Sequence, residues 1–354
     1  SRPSVSKNIS KPMSKPTIII GLPQSFGMHN SFKKNLEFYG FETIDISYNE
    51  HDFKYKNLSQ KIYNFFRKTF LKDKGYKSKL KFQVFSKEVV QKLNAIQGKA
   101  DYALLMRADI YPSDVIELVR EKSNFMAGYQ WDGLHRFPAI YPLIPFFDQF
   151  YVFDKSDLHQ NVFQFYPITN FYFDDDQNET AIPTLEYDLF FVGTLIERRM
   201  KNIKRLNKKC KKLGLKPFIN LYCQNPKDKE AYDDQGYHFI HEHMSYEENI
   251  KNVKRSGILL DFLNTTHEGL SFRTFEALHY NKKLITNNPR VKDYDFYHPN
   301  NIFIWNETNI NQLEDFIQKP YVMPDAHIKS KYGFGNWIKY VLNIEPFQPI
   351  TLPE

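Results

Sequence analysis

Gly257-Ile258-Leu259-Leu260-Asp261-Phe262-Leu263-Asn264-Thr265-Thr266-His267-Glu268-Gly269-Leu270-Ser271-Phe272-Arg273-Thr274-Phe275-Glu276 decides how this chain folds. Gly257 to Leu263 is an apolar run of strand length, buried on both faces. Asn264 to Gly269 is a short polar loop. A helix follows that carries Arg273 and Glu276, and Lys283-Leu284-Ile285-Thr286-Asn287-Asn288 is the next strand. This is one βαβ unit with its polar residues gathered where a strand ends and a helix begins. In open α/β sheets that is where anionic ligands sit.

The same alternation runs outward in both directions. Thr17-Ile18-Ile19-Ile20 is a short buried strand, followed by the turn-rich Gly21 to Gly27, a helix over about Asn30 to Tyr39, and a strand from Phe41 to Ile46. Ala100 to Met106 is a strand ending in Arg107-Ala108-Asp109. Pro112-Ser113 opens a helix with Ser113 as its expected N-cap. Phe125 to Gln130 is a strand ending in Trp131-Asp132-Gly133-Leu134-His135-Arg136, and Phe150 to Phe153 is another. Tyr187-Asp188-Leu189-Phe190-Phe191-Val192-Gly193-Thr194 is a strand ending in Gly-Thr, with a basic helix behind it from about Arg198 to Leu213. Ser245-Tyr246-Glu247-Glu248 is a capping box. Gly335 to Leu342 reads as a last helix. Strands alternating with helices predict parallel sheets with right-handed crossovers.

At 354 residues the chain exceeds what one core usually holds, so two domains are expected. The acidic, irregular stretch 170–186, with Asp174-Asp175-Asp176, reads as a solvated linker between them. The expected divisions are a non-native leader over 1–12, a first Rossmann-like domain over 13–175, a second over 185–325, and a helix and tail over 326–354. Formal net charge is +7; subtracting Arg2, Lys7 and Lys11 of the leader leaves +4. Two cysteines, Cys210 and Cys223, are too few for a disulfide framework or a thiolate metal site. The apolar run after Met13 is too short for a signal peptide, and no run approaches the roughly 20 residues that span a bilayer. The expectation is a soluble, cytoplasmic protein, with peripheral association at the inner face of the cytoplasmic membrane left open as an alternative.

From Tyr187 to about Trp337 the chain resembles a bacterial family of lipopolysaccharide and capsule glycosyltransferases. The residues that carry the resemblance are Tyr187-Asp188 with Phe191-Val192-Gly193-Thr194, then Gly269-Leu270-Ser271-Phe272-Arg273-Thr274-Phe275-Glu276-Ala277-Leu278. Lys282 to Asn288, Tyr294-Asp295-Phe296-Tyr297 and Asn300-Asn301-Ile302 follow in order. Trp131-Asp132 and Tyr151-Val152-Phe153-Asp154 are similar in the first half. The resemblance implies an α/β fold of the GT-B type, two Rossmann-like domains facing a central cleft. It implies a nucleotide-sugar donor on the second domain and a glycan or lipid-linked glycan acceptor (lipopolysaccharide, capsule or O-antigen) on the first. Some similar enzymes transfer Kdo, an acidic eight-carbon sugar carried on CMP, so CMP-Kdo is among the implied donors. The nucleotide-sugar is a co-substrate, and no other cofactor is implied.

Each residue type has a chemical reason to be in such a site. Gly193 and Thr194, between strand and helix, let backbone approach a phosphate. Arg198 and Arg199 can pair with phosphate or a sugar carboxylate in bidentate fashion. Gly269, Leu270 and Ser271 offer backbone N–H groups, Arg273 offsets charge, and Thr274 and His267 stand beside them. Glu276 can accept from ribose hydroxyls, and Glu268 can touch the transferred sugar. Relatives of the resembled family can lack the first glutamate, so a retaining outcome does not follow from it. A local Arg273–Glu276 pair is the plain alternative, worth a few tenths of a kcal/mol. Asp132 is the expected base or nucleophile, with His135 beside it; a loop-capping Asp is the plain alternative. Arg107, Asp109, Trp131 and Arg136 are the expected acceptor contacts. No metal is expected, because Asp174-Asp175-Asp176 reads as linker rather than as a metal-binding D-x-D.

Lys54 to Phe82 holds ten basic residues and one acid, interleaved with Tyr63, Phe65, Phe66, Phe70, Tyr76 and Phe82. It fits peripheral contact with anionic lipid, and equally a solvated amphipathic helix. Nucleic acid would match the same footprint but leaves the Glu268–Glu276 unit without purpose. A dinucleotide-type Rossmann enzyme, such as a sugar-nucleotide epimerase, would want G-x-G-x-x-G after the first strand, and Gly21-Leu22-Pro23 does not supply it.

Overall fold

The computed structural model describes residues 14–24, 27–49, 58–70, 76–131, 133–181, 183–263 and 269–354. The expected leader 1–12 lies outside them. The first sheet has strands β1 (Thr17–Gly21), β2 (Glu42–Asp45), β3 (Ala100–Met106), β4 (Ser123–Tyr129), β5 (Gln149–Val152) and β6 (Tyr166–Pro167). They pair in the order β2-β1-β3-β4-β5-β6, all parallel. Its helices are α1 (Met28–Phe38), α2 (Leu58–Phe70), α3 (Tyr76–Asn94), α4 (Ser113–Glu121) and α5 (Lys155–Leu158). Ile18, Ile19 and Ile20 are wholly buried. Alternate residues enter the packing on opposite faces of the sheet, which is why the strand reads as an unbroken apolar run.

The second sheet has β7 (Tyr187–Thr194), β8 (Pro217–Tyr222), β9 (His238–Ile240), β10 (Ser256–Asp261), β11 (Lys283–Thr286) and β12 (Ile302–Ile304). α6 (Glu197–Lys212), α7 (Tyr246–Lys254), α8 (Phe272–His279) and α9 (Leu313–Gln318) belong with it. The order is β12-β11-β10-β7-β8-β9, again all parallel. Sequence order reverses direction between β7 and β10. That switch point opens a crevice beyond the strands' carboxyl ends. Among the described residues no helix is long and apolar enough to cross a membrane.

After α10 (Ala326–Lys331), α11 (Phe334–Val341) returns to the first sheet. Trp337 is wholly buried, 4.6 Å from the Phe171 ring, and its indole N–H donates to the Thr169 carbonyl at 3.0 Å. The sequence marks this helix but not its destination.

The acidic stretch differs from the solvated linker that its composition predicts. The Asn35 side-chain oxygen accepts from the backbone N–H groups of Asp174 and Asp175, each at 3.1 Å. Asp176 accepts from Tyr280 at 2.6 Å, lies 2.8 Å from His279 Nε2 and 3.3 Å from Lys254 Nζ. The triplet thus ties α1 to α7 and α8. Ser113 is likewise not the N-cap of α4. Pro112 occupies that position without a side-chain bond, and the Asp114 carboxylate accepts from the Val115 N–H.

Burial alone would push the Asp176 carboxyl up. The hydrogen bonds from His279 and Tyr280 and the charge of Lys254 outweigh it and hold the group well below the usual range. A carboxyl depressed in the folded state adds stability above its unfolded value, near 3.9, and loses that contribution as the pH falls further. Asp176→Asn should therefore cost about 1–3 kcal/mol at pH 7, measured by urea unfolding, with the difference shrinking below about pH 4. A neutral effect at pH 7 would mean the triplet does not hold the elements together.

Candidate functional site

A cavity of about 380 Å³ opens at the second sheet's switch point, walled by the ends of β7, β8 and β10, by α7 and by the start of α8. Met28 of α1 reaches it from the first domain. Gly193 forms part of the wall. A Cβ there would lie 2.7 Å from Phe191 Cζ and 3.0 Å from Arg199 Nη2, so a side chain at this position would have to displace one or both.

Two buried carboxyls and two guanidiniums meet in this cavity. Asp261 ends β10 and accepts from the Ser271 hydroxyl at 2.8 Å. Ser271 is the N-cap residue of α8, yet its hydroxyl is committed to Asp261 and caps nothing. The positive end of the helix dipole is thus left without a side-chain oxygen. Glu276, 4% exposed, accepts from Asn249 Nδ2 at 3.2 Å. Its second oxygen lies 3.2 Å from Arg273 Nε, but the two are not aligned as a hydrogen bond. Arg273 Nη2 donates to Asn249 Oδ1 at 3.3 Å. Arg199 donates to the Phe262 carbonyl at 3.2 Å and to the Thr194 carbonyl, and it lies over the Phe191 ring.

Four polar atoms here are buried without a hydrogen-bond partner: Arg199 Nε, Arg273 Nε, Arg273 Nη1 and Glu276 Oε2. Buried polar groups left without a hydrogen bond are costly, and here the Arg273 Nε and Glu276 Oε2 charges offset one another at 3.2 Å. The donors suit phosphate oxygens and the acceptor suits a hydroxyl. Elsewhere on the lining the Tyr222 and His243 ring centroids stack 3.8 Å apart, with Ile240 and Met244 also lining the cavity. That flat, largely apolar wall suits a planar ring.

The cavity collects Gly193, Thr194, Arg199, Ser271, Arg273 and Glu276 of the expected donor residues. Gly269 and Leu270 line a neighbouring, smaller chamber with Trp131, and Ser271 borders both. Arg198 is exposed one helix position away from Arg199 and takes no part in the lining. Thr274 is buried on the far side of α8, near Leu278 and Tyr321. Arg107, in a left-handed backbone conformation (φ 58°), donates to Asp109 at 2.8 Å and lies 4.1 Å from the Phe137 ring centroid. Asp109 also accepts from Gln130 at 3.0 Å. His135 and Arg136 are exposed in the 3-10 turn Leu134–Arg136. Neither cavity includes these last four. Asp132, His267 and Glu268 lie outside the described residues. Sequence reasoning missed Asp261, Asn249, Tyr222 and His243. Asp261 carried one usable signal, a lone acid at the end of an apolar strand. Among the described residues no three His, Cys, Asp or Glu side chains converge as metal ligands would.

No family model and no curated protein matches the chain. Solved structures do. The chain is similar to a trehalose-6-phosphate synthase at a TM-score of 0.56 and 10% identity, over 95% of this chain and 100% of that one. It is similar to an α-glucosyltransferase solved with UDP and mismatched DNA, at 0.54 and 10%, over 86% and 90%. The fold is GT-B. A Listeria monocytogenes protein assigned as a UDP-N-acetylglucosamine 2-epimerase shares it, at 0.51 and 11%, over 95% and 100%. At these identities the likeness is one of fold alone.

Burial pushes the Glu276 carboxyl up, against the pull of Arg273 and Asn249. Asp261 is pushed up by burial in the same way. A carboxyl raised in the folded state costs no stability below its unfolded value, about 4.3 for Glu; the cost builds as the pH rises from there to the folded value and persists above it. Glu276→Gln, an isosteric neutral side chain, should unfold at equal or higher urea than the wild type at pH 7. The advantage should vanish near pH 4, at about the unfolded value. A clearly weaker variant at pH 7 would show instead that Arg273 requires the ionised carboxylate.

Proposed function

We propose that the chain is a glycosyltransferase that moves a sugar from a nucleotide donor to a surface-glycan acceptor. The observation that carries this reading is the convergence of the buried Arg199, Arg273 and Glu276 at the switch point, with hydrogen-bonding capacity left over at each. In this reading the guanidiniums and the amino end of α8 take the phosphates, and Glu276 takes ribose hydroxyls. The Tyr222–His243 wall takes the base. Asp132, three residues after β4 in the sequence, supplies the base or nucleophile, with His135 assisting it. Glu268 is assigned to contact with the transferred sugar and His267 to the donor, on the sequence alone. The sequence resemblance keeps CMP-Kdo among the donors and supports lipopolysaccharide, capsule or O-antigen as acceptor. No metal takes part.

An epimerase shares the fold, so the reaction is settled by its products. A transferase releases free nucleotide in proportion to acceptor consumed; an epimerase returns the sugar still on its nucleotide. Binding is read by thermal shift with UDP, CMP, GDP and ADP in EDTA. One nucleotide should stabilise the chain by about 2.7 kcal/mol at a hundredfold excess over its Kd, and Glu276→Ala should weaken it by about tenfold or more. Asp132→Asn should spare that binding and cut turnover by about 100-fold or more. Nucleotide binding unchanged in Glu276→Ala would remove the site, and near-normal turnover in Asp132→Asn would remove that residue from the chemistry.

The acceptor end bears a second surface. α2 exposes Ile62, Tyr63 and Phe65, and no acid occurs in 58–70 or 76–87. We assign it to contact with an anionic bilayer that presents a lipid-linked acceptor. The chain should sediment with phosphatidylglycerol vesicles, not with phosphatidylcholine ones, and Phe65→Glu should release it. Equal sedimentation with both lipids would end this assignment.

A further inference from the structure

The donor site as read above leaves Asn287 and Asn288 without a task. Thr286 ends β11 and stands opposite Asp261 of β10 in the parallel register. Asn287 and Asn288 follow at the level where the chain leaves β10, and their short polar side chains reach that chain. Asn287 Oδ1 accepts from the Leu263 N–H at 2.8 Å, and its Nδ2 donates to the Leu263 carbonyl at 3.1 Å. Asn288 Oδ1 accepts from the Arg290 N–H at 3.1 Å, and its Nδ2 donates to the Gly269 carbonyl at 3.2 Å. From the first domain, Asn170 Nδ2 donates to the Leu270 carbonyl at 2.9 Å. Three side-chain amides thus hold three carbonyls on the path from β10 to α8.

The residue type follows from this task. Asparagine carries a donor and an acceptor on one short arm. In Asn287 and Asn288 a backbone N–H occupies the acceptor, which leaves the donor aimed at a carbonyl. Aspartate would offer no donor there, and leucine neither group. Asn288 is 3% exposed, and its own backbone N–H donates to Thr286 Oγ1 at 3.1 Å, so it has little freedom to turn away. The Ser271 hydroxyl is tied to Asp261 from the β10 side. A carbonyl oxygen is the negative end of a peptide dipole and repels a phosphate, whereas an N–H group attracts one. The N–H groups that open α8 have no partner inside the helix, and the Ser271 side chain does not cap them.

We infer that Asn170, Asn287 and Asn288 are positioning residues of the donor site: they hold the Leu270, Leu263 and Gly269 carbonyls against their amides, so that the opening N–H groups of α8 meet the phosphates. The inference deepens the donor-site reading and rests on it for the phosphates. None of the three asparagines lines the switch-point cavity. They act on the ligand only through the backbone that they hold.

The test is isothermal titration calorimetry on the whole chain with UDP, CMP, GDP and ADP in turn, and the nucleotide that binds is carried to the variants. Asn288→Ser keeps an oxygen for the Arg290 N–H but is too short to reach the Gly269 carbonyl. Asn170→Ser releases the Leu270 carbonyl in the same way. Asn170 is the more exposed of the two, so it decides the matter if Asn288→Ser does not fold. Each variant should raise the Kd by about 3- to 10-fold, measured well below its Tm. A role confined to stability would lower the Tm and leave the Kd of the folded chain alone. Kd values within about twofold of the wild type in the folded variants would overturn the positioning role and leave the donor site in place. Failure of all four nucleotides to bind the wild type would overturn the donor-site reading itself, and the positioning role with it.

Discussion

Two carboxyls and two guanidiniums share one small volume at the end of the second sheet, and much of the surrounding structure answers that constraint. Buried charges are tolerated only when paired and hydrogen-bonded. Asp261 is met by the Ser271 hydroxyl, and Glu276 by Asn249 and the charge of Arg273. The pairing is incomplete. Arg199, Arg273 and Glu276 retain buried atoms without a hydrogen bond. A core built for stability would fill such vacancies with apolar side chains. A core that keeps them pays in stability for the ability to bind something with both phosphate-like acceptors and hydroxyl-like donors.

The second constraint is the join between the sheets. The chain crosses once through 168–176 and returns through α11, whose Trp337 fixes the Thr169 carbonyl. The Asp174–Asp176 triplet ties α1 to α7 and α8 on the same side. These ties hold Asn170 against Leu270 and set the width of the small chamber. Packing far from the donor cavity therefore determines what fits beside it. Phe171, Phe32, Phe334 and Trp337 are the rings that carry this load.

Much of the fold is legible in the sequence because parallel strands buried on both faces leave unbroken apolar runs, as at Ile18-Ile19-Ile20 and Ile258-Leu259-Leu260. The strand Tyr187–Thr194 keeps the bounds its composition suggests, and the Ser245 hydroxyl accepts from the Glu248 N–H as a capping box would. Local chemistry is legible when its period is local. The acidic triplet misleads because its partners, Asn35, Lys254, His279 and Tyr280, lie up to 140 residues away. Arg198 and Arg199 cannot be told apart by type. Helical phase decides that one faces solvent and the other the cavity. Asn249, Tyr222 and His243 reach the site from separate elements, and nothing in their own neighbourhoods marks them.

The central claim is that the switch-point cavity binds a nucleotide through Arg199, Arg273 and Glu276. Amide hydrogen exchange of the whole chain with and without saturating UDP or CMP tests it most directly. Slowed exchange should concentrate in 192–199, 260–263 and 269–276, with α4 and β2 unchanged. Binding accompanied by protection elsewhere, with those three segments unaffected, would contradict the account.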